Sequence, residues 1–173
     1  MSLCQGCLSV HCPPQVAAFL AANPPKLSPG IREVVAALKA TGKDVYLVSG
    51  GFRQMVYPVA ALLDIPVERV FANRITFNED SGDYVGHDAS EFTCRAGGKA
   101  AAIRHIKANK GYVTMVMVGD GATDLEARQP GGADAFIGYG GVVCRESICE
   151  QSDWYLNSFD PLIETLSTFE QRK

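Results

Sequence analysis

Val113-Thr-Met-Val-Met-Val118, running straight into Gly119-Asp120-Gly121-Ala122-Thr123-Asp124, is the stretch that decides the fold of this chain. An uncharged run of β-branched and methionine side chains predicts a strand covered on both faces, as strands of parallel sheets are. The glycine-rich turn behind it predicts a strand-to-helix connection, with a short helix from Ala122 to Arg128.

Parallel strands need crossover segments, and the sequence on either side supplies them. Upstream, Ser28-Pro29 reads as an N-cap and first helical residue, and Ile31, Val34, Val35 and Leu38 fill one helical stripe that stops near Gly42. Val45 to Val48 reads as a buried strand ending in Ser49-Gly50-Gly51, followed by a helix from Phe52 to Leu63. Arg74 to Phe77 and Asp83 to Val85 flank Asn78-Glu-Asp-Ser-Gly82, which is turn chemistry for a β-hairpin beside the main sheet. Gly97-Gly98-Lys99 opens a helix with Ala102, Ile103 and Ile106 on one face, closed by Gly111. Downstream, strands at Ala135–Ile137 and Trp154–Leu156 alternate with helices near Arg145 to Glu150 and from Asp160 to Phe169. The class is α/β, Rossmann-like, with a mainly parallel sheet.

Composition is consistent with that class. The 173 residues suffice for one ordinary domain, and 16 Lys+Arg against 19 Asp+Glu give a charge of −3. That balance lacks the basic excess of a nucleic-acid binder, so no nucleic-acid partner is expected. No apolar run reaches the ~18 residues of a membrane span, and the amino terminus lacks the pattern of a secretory signal, so a cytoplasmic chain without membrane contact is expected. The six cysteines, at positions 4, 7, 12, 94, 144 and 149, follow no repeating frame, and reduced thiols are expected. Cys4, Cys7, His11 and Cys12 offer zinc-type ligands, but ten residues with two ligands adjacent wrap a tetrahedral site poorly. Residues 1–13 are expected to be an unrelated, disordered tail and residues 14–173 a single domain.

In open parallel sheets ligands sit beyond the carboxyl ends of the strands. Asp120 and Asp124, four residues apart, bring two hard oxygen donors to one helix start, suited to Mg²⁺ together with phosphate and water. Ser49, Gly50 and Gly51 offer a hydroxyl and side-chain-free backbone N–H groups to an anion. Lys99, behind two glycines, could neutralise a phosphate. Each turn taken singly is explained as well by capping. Gly138-x-Gly140 lacks the third glycine of a dinucleotide fingerprint, and His87 and His105 fit hydrogen-bonded or solvated roles.

Taken in order, Ser49-Gly50-Gly51-Phe52-Arg53, Gly97-Gly98-Lys99 and Val118-Gly119-Asp120-Gly121-Ala122-Thr123-Asp124 resemble the haloacid dehalogenase superfamily, specifically its phosphoserine phosphatases. The resemblance extends through Phe71 to Arg74, the hairpin and Ala133 to Gly138, and covers roughly Pro14 to the carboxyl terminus. It implies Mg²⁺-dependent hydrolysis of O-phosphoserine to serine and phosphate, the last step of serine biosynthesis. By position, Ser49, Gly50 and Gly51 would hold phosphoryl oxygens, Lys99 would steady the phosphate, Asp120 would bind Mg²⁺ and Thr123 would contact the substrate. Asp124 would be a supporting carboxylate, either beside the metal's ligand or touching the metal.

The chain departs from that pattern in one respect with large consequences. The family's reaction begins with an Asp nucleophile in an Asp-x-Asp-x-Thr motif after its first strand, and these 173 residues contain no such motif. The first Asp is Asp44, which precedes its strand and so lies ~13 Å of extended chain from Ser49, at the opposite end. The nucleophile and the general acid/base are therefore missing. The family also places that first strand between the strands ending at Ser49 and Asp120, so those two are expected either to pair directly or to keep unpaired edges. Most of the cap is absent too, Pro14 to Pro25 resembling only its last part. The expectation is a phosphoserine phosphatase sequence without its amino-terminal portion, inactive as it stands. The alternative is a non-catalytic phosphate- or Mg²⁺-binding module, or one that forms a homodimer or associates with an intact phosphatase subunit.

Overall fold

The computed structural model describes residues 14–170. Along the chain come α1 (Pro14–Ala22), α2 (Ile31–Ala40), β1 (Leu47–Phe52), α3 (Arg53–Leu62), β2 (Val70–Asn73), β3 (Ile75–Phe77), β4 (Tyr84–His87) and α4 (Gly98–Lys110). They are followed by β5 (Val116–Gly119), α5 (Ala122–Leu125), β6 (Ala135–Tyr139), α6 (Glu146–Gln151), β7 (Trp154–Leu156) and α7 (Asp160–Glu170). These elements fall into two compact units, one made of residues 14–26 with Tyr46–Cys94 and the other of Leu27–Val45 with Arg95 onward. The calls on residues 1–13, including Cys4, Cys7, His11 and Cys12, lie outside the described residues.

The second unit is built on the parallel sheet β5-β6-β7. Alternation along its strands assigns the faces. Ile137 and Tyr139 on β6, with Trp154 and Leu156 on β7, join Val34 of α2 and Phe159, Leu162 and Leu166 in one core cluster. The Tyr139 and Phe159 rings stack with centroids 4.2 Å apart. Phe136 on β6 and Tyr155 on β7 point the other way, into a cluster with Ile103 of α4, Met117 of β5 and Ile148 of α6. Phe136 is fully buried, worth roughly 1.5–3 kcal/mol of transfer free energy.

The deciding stretch differs from its reading. The strand begins at Val116, because Asp134 seizes the backbone of Met115. The Met115 N–H donates to Asp134 Oδ2 at 2.7 Å, and the Asp134 N–H donates to the Met115 carbonyl at 2.8 Å. Only one face is covered as well. Met117 is buried, but Val116 and Val118 remain 49% and 41% exposed, because α2 and α7 cover β6 and β7 on that face and leave β5 bare.

In the first unit β1 pairs in parallel with β2, Leu47 opposite Val70 and Phe52 opposite Asn73, with a register shift between Val48 and Phe52. That pairing holds Ser49 to Gly51 in the extended strand and moves the helix start to Arg53, so the strand anticipated at Val45–Val48 lies further along the chain. β2 itself, after a 3₁₀ turn at Val67–Arg69, was not anticipated. Ala60, Leu63, Ile65, Val70 and Ala72 form this unit's buried apolar positions. β3 and β4 make a separate antiparallel hairpin, as the turn residues predict: Asn78 Oδ1 accepts from the N–H groups of Asp80 and Ser81 at 2.9 Å, and Gly82 sits at φ 73°. Among the described residues β1 has one ladder partner, β2, and β5 has one, β6.

Helix boundaries follow their glycines. α2 starts after Gly30, at φ 83°, rather than at Ser28-Pro29, and Gly30 is confined by Phe159, whose Cβ would lie 3.0 Å from an added methyl. α4 runs between Gly97 and Gly111, at φ 69° and 71°, with Ala102, Ile103 and Ile106 buried as expected. No helix among the described residues is long and apolar enough to cross a membrane.

Candidate functional site

In the second unit, the chemistry gathers where β5 ends. Asp124 is the third residue of α5, and its side chain turns back into the protein, 6% exposed. The Lys99 ammonium donates to Asp124 Oδ1 at 2.5 Å, and the Gly121 N–H donates to Oδ2 at 3.1 Å. Gly119 makes this possible, since a methyl group there would lie 2.2 Å from the Asp124 carboxyl carbon. Lys99 stands in the first turn of α4, where the helix dipole disfavours a cation, and the Asp124 carboxylate offsets that disadvantage. Both side chains are largely withdrawn from water, 16% and 9% exposed.

Asp120 lies two residues before α5 and faces a different partner. Arg145, immediately before α6, donates through Nη1 to Asp120 Oδ2 at 2.5 Å and to the Asp120 carbonyl at 2.7 Å. Both side chains are nearly half exposed, 43% and 47%. Thr123 is exposed on α5. The i, i+4 spacing thus brings both carboxylates to one helix start, as expected, but the two engage separate cations. Nothing in the sequence motifs singled out Arg145.

These residues permit a test for a divalent cation. Among the described residues no three His, Cys, Asp or Glu side chains converge to hold a metal ion. Asp120 nevertheless presents a carboxylate oxygen and a carbonyl oxygen to one guanidinium. Two hard oxygens already gripping a cation fit Mg²⁺, which needs only one or two protein carboxylates when phosphate and water complete its shell. Arg145 would have to yield its place.

In the first unit, the turn within β1 is fixed by neutral hydrogen bonds. The Gly51 N–H donates to Ser49 Oγ at 3.0 Å, and Asn73 Nδ2 donates to the Gly50 carbonyl at 2.8 Å. Asn73 is buried, and its own Oδ1 accepts from Thr93 Oγ1 at 2.8 Å. Gly50 has no heavy atom beyond its chain neighbours within 4 Å of the position a Cβ would take, so its side lies open. Arg53, next along, donates to the Ala72 carbonyl, to Tyr57 and to Glu91 at 2.8 Å. Burial works to lower the Arg53 guanidinium's pKa, but hydrogen bonds to Glu91 and Tyr57 outweigh it and raise the value above the ordinary one. Sequence reasoning assigned no role to Asn73 or Glu91, because their partners lie about 20 or more residues away.

The remaining candidates have structural explanations. Methyl groups at Gly138 and Gly140 would collide with Tyr155 at 2.7 Å and 2.2 Å, so these glycines make room for β7 rather than for a dinucleotide. The Asn109 side-chain nitrogen lies 3.1 Å from His105 Nε2 and donates to the His105 carbonyl at 2.9 Å. Asp44, on the approach to β1, accepts from the Tyr112 hydroxyl. Cys94, Cys144 and Cys149 carry free thiols.

Known proteins resemble this chain over most of its length. The haloacid dehalogenase-like hydrolase family matches residues 8–128. Phosphoserine phosphatase, chloroplastic, of Arabidopsis thaliana is 53% identical over 152 residues, covering 88% of this chain and 51% of that protein. Phosphoserine phosphatase of Mus musculus is 46% identical over 152 residues, covering 88% of this chain and 66% of its own length. The crystal structure of a phosphoserine phosphohydrolase-like protein from Francisella tularensis superposes with a TM-score of 0.77 at 29% identity, covering 86% of this chain and 68% of that one. A Rossmann-type α/β core with an acidic turn after a parallel strand and a lysine at a helix start fits a class of hydrolases, and the chain belongs to the haloacid dehalogenase-like hydrolases. Within that family its sequence similarity is to the phosphoserine phosphatases. The chain spans between half and two thirds of the length of these two relatives.

Proposed function

We propose that this chain carries the phosphate- and cation-holding part of a phosphomonoester hydrolase whose substrate is O-phosphoserine. The observation that carries the reading is the buried Lys99–Asp124 pair at the end of β5. A lysine in the first turn of a helix, held by a carboxylate in a turn cleared by Gly119, is a fixed positive charge presented without mobile-chain entropy. Preorganised charge of this kind is what transfer of a phosphoryl group uses.

On this reading Asp124 positions Lys99, and Thr123 meets the substrate from the exposed side of α5. Asp120 holds Mg²⁺ through its carboxylate. When bound, Mg²⁺ would neutralise charge on the phosphoryl oxygens. In the first unit, Ser49 Oγ and the backbone of Gly50 and Gly51 bind phosphoryl oxygens, helped by the open space beside Gly50. We take residues 14–173 as one domain of this family, serving serine biosynthesis.

Turnover needs a nucleophile, and neither Asp44, bonded to Tyr112, nor the cation-bound Asp120 and Asp124 supplies one. We therefore expect the 173-residue chain alone, with Mg²⁺, to release phosphate from O-phosphoserine no faster than background. Turnover that vanishes in Asp120→Asn would overturn this. The binding reading is favoured by the two neutralised carboxylates. Titration calorimetry with inorganic phosphate should give heat for the wild type and less for Ser49→Ala, whereas Mg²⁺ affinity should rise severalfold in Arg145→Ala as a competing cation is removed. Absence of heat for phosphate and Mg²⁺ alike would sink the binding reading.

A further inference from the structure

Arg145 occupies the N-cap position of α6, with extended backbone at φ −120° and ψ 115°. Cys144 therefore stands at the position just outside the helix, and Cys149, whose N–H donates to the Arg145 carbonyl at 3.0 Å, is the fourth helical residue. These are the two positions whose side chains, when apolar, pack across the first turn as the hydrophobic staple. Both thiols are free and exposed.

A second observation places Cys144 beside a phenol. The Tyr155 hydroxyl donates to Cys144 Sγ at 3.4 Å. Its pKa is raised first by that hydrogen bond, then by burial and by the charge of Cys144, against a lowering by the Arg145 backbone, with a smaller upward contribution from Cys149. Cys94 differs: its thiol donates to the Glu91 carbonyl at 2.9 Å in the first unit.

From this placement we infer that Cys144 and Cys149 form a reversible thiol–disulfide pair, oxidised by low-molecular-weight disulfides. One thiolate attacks a sulfur of the oxidant RSSR, forming a mixed disulfide and expelling RS⁻. The second cysteine's thiolate then attacks the protein sulfur of that mixed disulfide, closing the protein S–S bond and expelling the other RS⁻. The two cysteine sulfurs lose two electrons, the oxidant gains them, and the two thiol protons end on two RSH. The loop so closed contains Arg145, the residue that grips Asp120. The inference stands independently of the phosphatase reading.

The test uses the purified chain with oxidised glutathione, quenched by alkylation and digested with trypsin without reduction. Trypsin cuts after Arg145, so closure joins the peptide ending at Arg145 to the peptide beginning at Glu146, and dithiothreitol separates them. That cross-linked pair is the expected product, formed at least about tenfold faster in native buffer than in urea because the folded turn holds the sulfurs together. Cys144→Ser should leave glutathione on Cys149, and Cys149→Ser should leave it on Cys144. Glutathione adducts on both cysteines without a link, preferred linkage to Cys94 or to the amino-terminal cysteines, or equal rates in urea would each overturn the inference.

Discussion

The irregular stretch of β1 and the turn after β5 are held by different forces. Around β1, Ser49, Gly50 and Gly51 are fixed by hydrogen bonds between neutral groups, with Asn73 as the bolt. Around β5, every fixed side chain is ionised: Lys99 with Asp124, Arg145 with Asp120. Neutral bonds tolerate small local change, whereas a buried ion pair fails when either member is lost, because the survivor remains charged and poorly solvated. The difference also separates the two ion pairs. The inner pair is structural in energy, and the outer one, half exposed, contributes little to stability and can exchange its cation.

The comparison breaks most sharply at Lys99. Lys99→Met leaves Asp124 buried without its partner and should lower the unfolding free energy by about 3 kcal/mol in urea titration. A loss under about 1 kcal/mol would mean that water screens the pair. Next come the glycines. Gly119→Ala drives a methyl into the Asp124 carboxylate and should cost about 1–3 kcal/mol, while Gly50→Ala, into open space, should change stability by no more than about 0.5 kcal/mol. Equal costs at both positions would erase the distinction between the two turns.

The smallest effect concerns acid. The Asp134 carboxyl lies below its usual value because Lys107 donates to it and, second, because the Met115 N–H does. A group lowered on folding adds stability above its unfolded pKa and loses it as the pH falls through the folded value. Asp134→Asn should therefore flatten the acid side of the stability curve below about pH 4. An unchanged acid limb would show that this contact does not shape it.

Much of this molecule could be read from local chemistry. Gly97 and Gly111 bound α4 because both adopt left-handed backbone, and Asn78 to Gly82 specify the hairpin turn through bonds within five residues. The placement of Asp120 and Asp124 behind β5 was legible for the same reason. What escaped depends on distant partners. Asp134 trims the start of β5 from across a connection, β2 draws Ser49 to Phe52 into a strand, and Arg145 reaches Asp120 over 25 residues. None of these has a local pattern. The apolar run from Val113 to Val118 promised two covered faces, but apolar character records what a strand can bury and not which helices arrive to bury it.

β5 also has a rhythm in time. Along a parallel strand, successive amides point to opposite sides, and β6 lies on only one side of β5. Half of its amides are locked in this ladder, while among the described residues their immediate neighbours have no ladder partner. On the clock of hydrogen exchange the strand should tick at two speeds, slow and fast residues alternating from Val116 to Gly119, beside an α4 that exchanges slowly through its central turns.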